Sequence, residues 1–350
     1  MNNKTLSSIC VLRLTALGDC INAFGLINAI KENYPDIQLD WVIDSRFASL
    51  FVDENNKPLV SMHKVEVKNQ GLLKASFNLY KELKNKKFDA LFNLQTSIKA
   101  SVLSLCIKAK LKFGYDAERR REGQLLFINR QAPSPDNPHV LAGFMAFAHS
   151  AGLKDLTPSW DYKLSDNEIK NAKALIQNNQ RILTISPASA KAAKNWTVEG
   201  YIQVAKHAIS KGFKIVLVGN GKTDTLMCNQ ISQALNDKCI NLCSKTTLRE
   251  LAAVISLSSV VISPDSAAMH LASSLDIPVI SLQAIHNPDR VGAWNFRDLE
   301  VSVYQKMATA ELQGKKPGWR YRVKNEDAMK EIKTSMVIDT FDKAVSEYKL

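Results

Sequence analysis

Short, β-branched apolar runs alternate with helix-length segments through both halves of this chain, and that alternation narrows its fold more than any other feature. In the first half, Ser8-Ile-Cys-Val-Leu-Arg-Leu14, Gln38-Leu-Asp-Trp-Val-Ile43, Ala90-Leu-Phe-Asn-Leu94 and Lys112-Phe-Gly-Tyr115 read as strands, and residues 19–33, 72–84 and 97–109 read as helices. A polar, proline-rich stretch over residues 131–138 precedes a helix over 139–151, and residues 156–162 have the composition of an interdomain connection. The pattern then resumes with Arg181-Ile-Leu-Thr-Ile-Ser186, Lys214-Ile-Val-Leu-Val218, Val260-Val-Ile262 and Val279-Ile-Ser-Leu282. Strands that are apolar throughout, separated by helices, build parallel sheets covered on both faces. The expected fold is therefore α/β, with two doubly wound, Rossmann-like domains facing across a cleft. Ligands of such sheets sit beyond the carboxyl ends of the strands, which makes that cleft the expected active site.

Size and composition are compatible with this reading. With 350 residues, 45% hydrophobic and 23% charged, the chain can fill two sizeable cores. A net charge of +12 favours an anionic partner. The basic residues are spread over surface helices with no recognition motif, so nucleic acid is not expected. The six cysteines include no C-x-x-C pair and read as reduced, packed thiols. The run after Met1-Asn-Asn-Lys is broken by Arg13 and Asp19, unlike a signal peptide, and no apolar run is long enough to span a bilayer. A cytoplasmic protein is expected.

Four constellations follow strands. Asp19, after Leu17-Gly18, falls at a helix N-terminus, where it can cap the helix or act as a base. Ser186-Pro-Ala-Ser-Ala-Lys-Ala-Ala-Lys-Asn-Trp-Thr197 offers small residues for phosphate approach and two lysines; Lys194, beside Trp196, is favoured over Lys191. Gly219-Asn-Gly-Lys-Thr-Asp224 imitates the end of a P-loop but has Val216 where the first glycine belongs, which argues against a nucleoside triphosphatase. Ser263-Pro-Asp-Ser-Ala-Ala-Met-His270 opens a helix at residue 266, with Ser266 and His270 on one face and Asp265 in front. Helix starts of this kind bind phosphate.

Together these residues resemble the lipopolysaccharide heptosyltransferases, family 9 of the glycosyltransferases. The resemblance rests on Leu17-Gly-Asp19, Phe88-Asp-Ala-Leu-Phe-Asn-Leu-Gln95, Gly114-Tyr-Asp116, Lys194-Asn-Trp196, Leu242-Cys-Ser-Lys-Thr-Thr-Leu-Arg-Glu-Leu251 and the stretch from Ser263 to Ala272. It implies the GT-B fold and a metal-independent, inverting transfer of heptose, without a cofactor, from ADP-heptose to Kdo-lipid A or the inner core of lipopolysaccharide. The protein would work at the cytoplasmic face of the inner membrane as a peripheral partner. It further implies Asp19 as catalytic base and Lys194, Asp224, Asp265, Ser266, Ala267 and His270 as donor-binding residues. Arg120 and Arg121 are the expected acceptor contacts. Residues 1–160 would bind acceptor, 161–325 would bind the nucleotide sugar, and 326–350 would return as a helix to the first domain, its face formed by Ile338, Phe341, Val345 and Tyr348. The chain departs from the family pattern at Ala267, where members often have glycine, and at Ala284-Ile-His-Asn-Pro288, where a Gly-Pro-Thr run is usual. The alternatives are a catalytically altered nucleotide-sugar-binding protein and a transferase using a different nucleotide sugar.

Overall fold

A computed structural model describes residues 6–177, 181–236 and 238–350, which divide into two units between Lys163 and Leu164. In the first unit, β1 (Ser8–Leu12), α1 (Leu17–Asn33), β2 (Gln38–Asp44), α2 (Ser45–Ala48), β3 (Ser61–Val65), α3 (Val67–Gln70) and α4 (Leu72–Leu83) follow in order. They continue into β4 (Phe88–Asn93), α5 (Ile98–Ser104), β5 (Ala109–Tyr115), β6 (Arg130–Ala132) and α6 (Val140–Ser150). Every strand pair is parallel and the sheet order is β3-β2-β1-β4-β5-β6. This is the doubly wound arrangement, in which strand order reverses between β1 and β4.

The second unit repeats it. There, α7 (Asp166–Ile176), β7 (Ile182–Ile185), α8 (Val198–Ser210), β8 (Lys214–Leu217), α9 (Lys222–Ala234), β9 (Cys239–Asn241) and α10 (Leu248–Ser256) are followed by β10 (Val260–Pro264), α11 (Ala267–Ser274) and β11 (Val279–Gln283). The chain closes with α12 (Pro288–Val291), β12 (Glu300–Ser302), α13 (Tyr304–Glu311) and α14 (Thr334–Glu347). The order β12-β11-β10-β7-β8-β9 is again parallel throughout, with its reversal between β7 and β10.

Local chemistry sets the helix starts. Ser165 with Glu168 and Thr247 with Glu250 form capping boxes at α7 and α10, and Arg249 then ties the two helices by pairing with Glu168. On one face of the first sheet Phe24, Trp41, Phe51 and Tyr162 form an aromatic cluster. On the other, Leu79 and Leu83 of α4 share a core with Ala100 and Leu103 of α5.

Three expectations change. The segment 156–162 is no loose connection: Tyr162 is buried against Phe24, and Trp160 Nε1 donates to the carbonyl of Ile21 (2.8 Å), so it belongs to the first unit's core. The helix expected over 97–109 ends at Ser104, and its last expected residue opens β5, because a turn over 105–108 separates the two. The C-terminal helix, expected on the first domain, packs within the second unit, on α8, β11 and β12. Val337, Phe341 and Ala344 are its buried line; Phe341 meets Phe213 edge-on at 5.1 Å, while His207 of α8 bonds Asp342 (2.8 Å). Ile338, Val345 and Tyr348 flank that line, half-buried.

Candidate active site

In the first unit the loop leaving β1 lies beside the end of β4, at the reversal of strand order. Gln95, just past β4, accepts hydrogen bonds from the amides of Leu14 (2.9 Å) and Thr15 (3.2 Å), which fixes that loop. Asp19 is the third residue of α1. Its Oδ2 accepts the Ala16 amide (3.2 Å), so it caps its own helix. The same oxygen pairs with Arg13 Nη2 at 2.5 Å. Arg13 in turn donates from Nη1 to the Leu94 carbonyl (2.7 Å) and lies over the Phe144 ring. Both contacts of Asp19 use Oδ2. Among the described residues Oδ1 has no protein partner, and the side chain is 33% exposed.

The run Glu118-Arg-Arg-Arg-Glu122 follows β5 at the same edge. Arg119 turns inward and donates to the carbonyls of Asn137 and His139, a packing that Gly143 permits because a Cβ there would lie 2.3 Å from the guanidinium. Arg120 is half-buried and Arg121 exposed.

In the second unit the loop after β7 meets the start of α11 at the β7/β10 reversal. Trp196 anchors that loop: it is buried, and its Nε1 donates to the carbonyl of Ile332 (2.9 Å). Lys194, two residues ahead, reaches Asp265 at both the main-chain carbonyl (2.5 Å) and Oδ2 (3.1 Å). Asp265 Oδ2 also lies 2.7 Å from His286 Nδ1. Burial works against the charged carboxyl, but the bond from His286 and the charges of Lys194, His286 and His270 outweigh it and hold Asp265 well below the usual carboxylate range. Burial, together with Lys194 and Arg322, pushes the His286 ring down despite Asp265. The bond to Asp265 takes Nδ1 and leaves the other ring nitrogen, Nε2. That atom is buried, with no hydrogen-bond partner among the described residues.

Ser266 caps α11, with its Oγ accepting from the Ala268 amide (3.2 Å) and 2.7 Å from Ser263 Oγ. Ser266 and Ala267 are half-exposed at the positive end of that helix, and His270 is buried one turn inside. Lys191 is exposed nearby; burial lowers its pKa, and repulsion from Arg322 and Lys194 adds to that. Lys194 and His286 thus meet one carboxylate at a helix start, an arrangement suited to an anion. Asp224 folds back over Gly219, whose φ of +149° and missing Cβ admit the carboxylate, and burial raises its pKa. Thr223, its rival for that place in the sequence, is exposed.

The structure thus brings Lys194, Asp265, Ser266 and Ala267 together, with His270 behind them. Arg13, Gln95 and His286 were not singled out from sequence. A charge closing an apolar strand marks Arg13, and the departure from the family run marks His286; Gln95 carries no local signal.

Comparison with known proteins bears on the family and the fold. The profile described as glycosyltransferase family 9 (heptosyltransferase) matches residues 76–319. The lipopolysaccharide core heptosyltransferase OpsX of Haemophilus influenzae is 38% identical over 340 residues, covering 96% of each chain. Lipooligosaccharide heptosyltransferase 2 of Campylobacter jejuni is 24% identical, covering 94% of this chain and 96% of the relative. Among solved structures, the family 9 glycosyl transferase of Veillonella parvula superposes with a TM-score of 0.78 at 18% identity, over 97% of both chains. Escherichia coli heptosyltransferase WaaC with ADP does so with a TM-score of 0.72 at 17% identity, over 96% of this chain and 99% of that one. At such identities the structures speak for the GT-B fold alone, while the profile and the 38% relative speak for kinship. On that evidence the chain is a glycosyltransferase and belongs to family 9, the heptosyltransferases.

Proposed function

We propose that this enzyme moves heptose from ADP-heptose onto the Kdo or heptose of the lipopolysaccharide inner core, at the cytoplasmic face of the inner membrane. The observation that carries the reading is the pairing of Lys194 with Asp265 at the start of α11, where a doubly wound sheet takes its phosphate. Lys194 and the amides of Ser266 and Ala267 receive the diphosphate. Asp224, at the glycine turn, faces the rest of the nucleotide, and His286 Nε2 is left to hydrogen-bond a donor hydroxyl. Arg120 and Arg121 meet acidic groups of the acceptor, since guanidinium forks match carboxylate and phosphate.

Chemistry follows from charge. Asp19 takes the proton of the acceptor hydroxyl, and the freed oxygen attacks the anomeric carbon from the side opposite ADP. The bond from that carbon to the phosphate oxygen breaks as the new one forms, its electron pair passing to ADP, and Lys194 with the helix amides stabilises the charge gathering there. With one base and no second nucleophile, a single displacement inverts the anomeric centre. Arg13 holds Asp19 in place through Oδ2, and Oδ1 is left for the proton. A donor screen that follows ADP release, with and without Kdo-lipid A, tests the assignment. Acceptor-dependent release from ADP-heptose is expected. Equal or better turnover of another nucleotide sugar, or binding without turnover, would replace it with one of the two alternatives.

A further inference from the structure

Among the described residues, the exposed large apolar side chains are concentrated in one place. Eight large hydrophobic residues are exposed among the described ones, and seven of them belong to, or directly follow, three helical elements of the first unit that pack in series. Leu73, Phe77 and Tyr80 stand on α4 at four- and three-residue spacing, on the side away from its buried line Ala75, Leu79 and Leu83. Ile98 and Leu105, two turns apart, stand on and just after α5, which packs beside α4 over a shared core. Leu125 and Leu126 lie in the 3-10 turn Gln124–Phe127, which packs on α5. These seven are between 43% and 85% exposed.

A surface helix ordinarily turns charge to water opposite its core face. Here α4 turns leucine, phenylalanine and tyrosine outward, and a patch spread over three elements marks an interaction surface rather than scattered exposure. Its charge identifies the partner. Residues 67–130 hold fourteen Lys and Arg against five Asp and Glu, which makes nine of the chain's net charge of +12. Lys74 and Lys81 on α4 and Lys99 on α5 are exposed and have no carboxylate partner among the described residues, and the Lys81 ammonium lies 4.4 Å from the centre of the Phe77 ring. Apolar side chains among lysines whose stems lie along them are how a protein rests in the headgroup layer of an anionic bilayer.

We infer that the face formed by α4, α5 and the turn at Gln124–Phe127 docks on an anionic lipid surface, with Leu73, Phe77 and Leu126 entering the acyl boundary and Lys74, Lys81 and Lys99 meeting lipid phosphates. The inference gives a surface to the membrane contact proposed above. Arg120 and Arg121, the proposed acceptor contacts, immediately precede the docking turn in the chain. A lipid-anchored acceptor would therefore reach them from the same membrane.

The test is flotation of the full chain, without donor or acceptor, on vesicles of phosphatidylethanolamine with phosphatidylglycerol and on vesicles of phosphatidylcholine alone. The parent is expected to float with the anionic vesicles only. The double variant Phe77→Ser, Leu126→Ser and the double variant Lys74→Glu, Lys81→Glu should each lose about tenfold or more in vesicle affinity, with melting temperatures unchanged. Turnover of a deacylated, water-soluble acceptor should be the same in all. Binding that survives the serine variant, equal binding to both vesicle types, or a parent dimer that the serine variant splits would overturn the inference. Because flotation uses neither substrate, its failure leaves the transferase reading standing, and failure of the donor screen leaves the docking surface standing.

Discussion

Replacing Lys194 with Ala removes the cation that the structure places against Asp265. Its ammonium lies 2.5 Å from the Asp265 carbonyl and 3.1 Å from Oδ2, with only 14% of the side chain exposed, so it is ordered before donor arrives. A charge-assisted bond to phosphate contributes about 1.5–3 kcal/mol, which corresponds to about 10–150-fold in kcat/KM for the donor. The upper part of that range is expected, because the variant also leaves Asp265 with His286 as its remaining close partner and presents a barely offset carboxylate to an incoming anion. The double variant Lys194→Ala, Asp265→Asn should recover part of the loss, since it removes that repulsion, and the coupling between the two sites should be measurable in a double-mutant cycle. The assay is initial rate at limiting ADP-heptose and saturating acceptor, with circular dichroism to show that the second unit is folded. A variant within twofold of the parent would refute the placement of Lys194 on the diphosphate.

Two further outcomes concern the frame that holds these groups. In the first unit, His63 is held by Asp40 (2.6 Å) and Glu82 (2.5 Å); burial opposes its charge, but the two carboxylates outweigh it and raise its pKa. A raised folded value stabilises most below the unfolded pKa of about 6.5, and the gain is lost as pH rises through the folded pKa. The difference in melting temperature between the parent and His63→Gln should therefore be largest in mild acid and shrink toward pH ~9, where a constant difference would contradict the charged pairing. In the second unit, Phe341→Ala empties a fully buried ring site between Phe213 and His207, for a cost of about 3–5 kcal/mol and a fall in melting temperature of about 6–20 °C; a change under ~2 °C would show that α14 is not held by that face.

The most central strands were legible because they are buried on both faces and so read as continuous apolar runs, as in Val260-Val-Ile262 and Ile215-Val-Leu-Val218. The four strands the sequence did not reveal, β3, β6, β9 and β12, are the four sheet edges. Half-solvated and mostly three residues long, they carry polar residues such as His63 and Lys64 or Arg130 and Gln131 where a central strand would be apolar. The cluster at Asp265 was readable one residue at a time: Lys194 and Asp265 each stand beside a recognisable turn. That they touch follows from β7 lying next to β10, a long-range pairing that no local pattern encodes. The same holds for Gln95 and the loop after β1, and for Arg13 and Leu94, which are joined only once β1 and β4 are neighbours. Periodicity likewise showed that α14 has an apolar face without showing that α8 and β12 cover it.

Asp19 is where the account is most exposed. Asp19→Asn keeps the size of the side chain and an oxygen for the Ala16 amide and Arg13, but loses the basicity that the acceptor proton requires. The deciding measurement is turnover of this variant with ADP-heptose and Kdo-lipid A, alongside donor affinity and the anomeric configuration of the parent's product read by NMR. The account predicts a loss of about 10²–10⁴-fold in kcat with donor affinity largely kept, and an inverted product from the parent. Parent-like turnover by Asp19→Asn, or a product that retains the configuration of the donor, would contradict it.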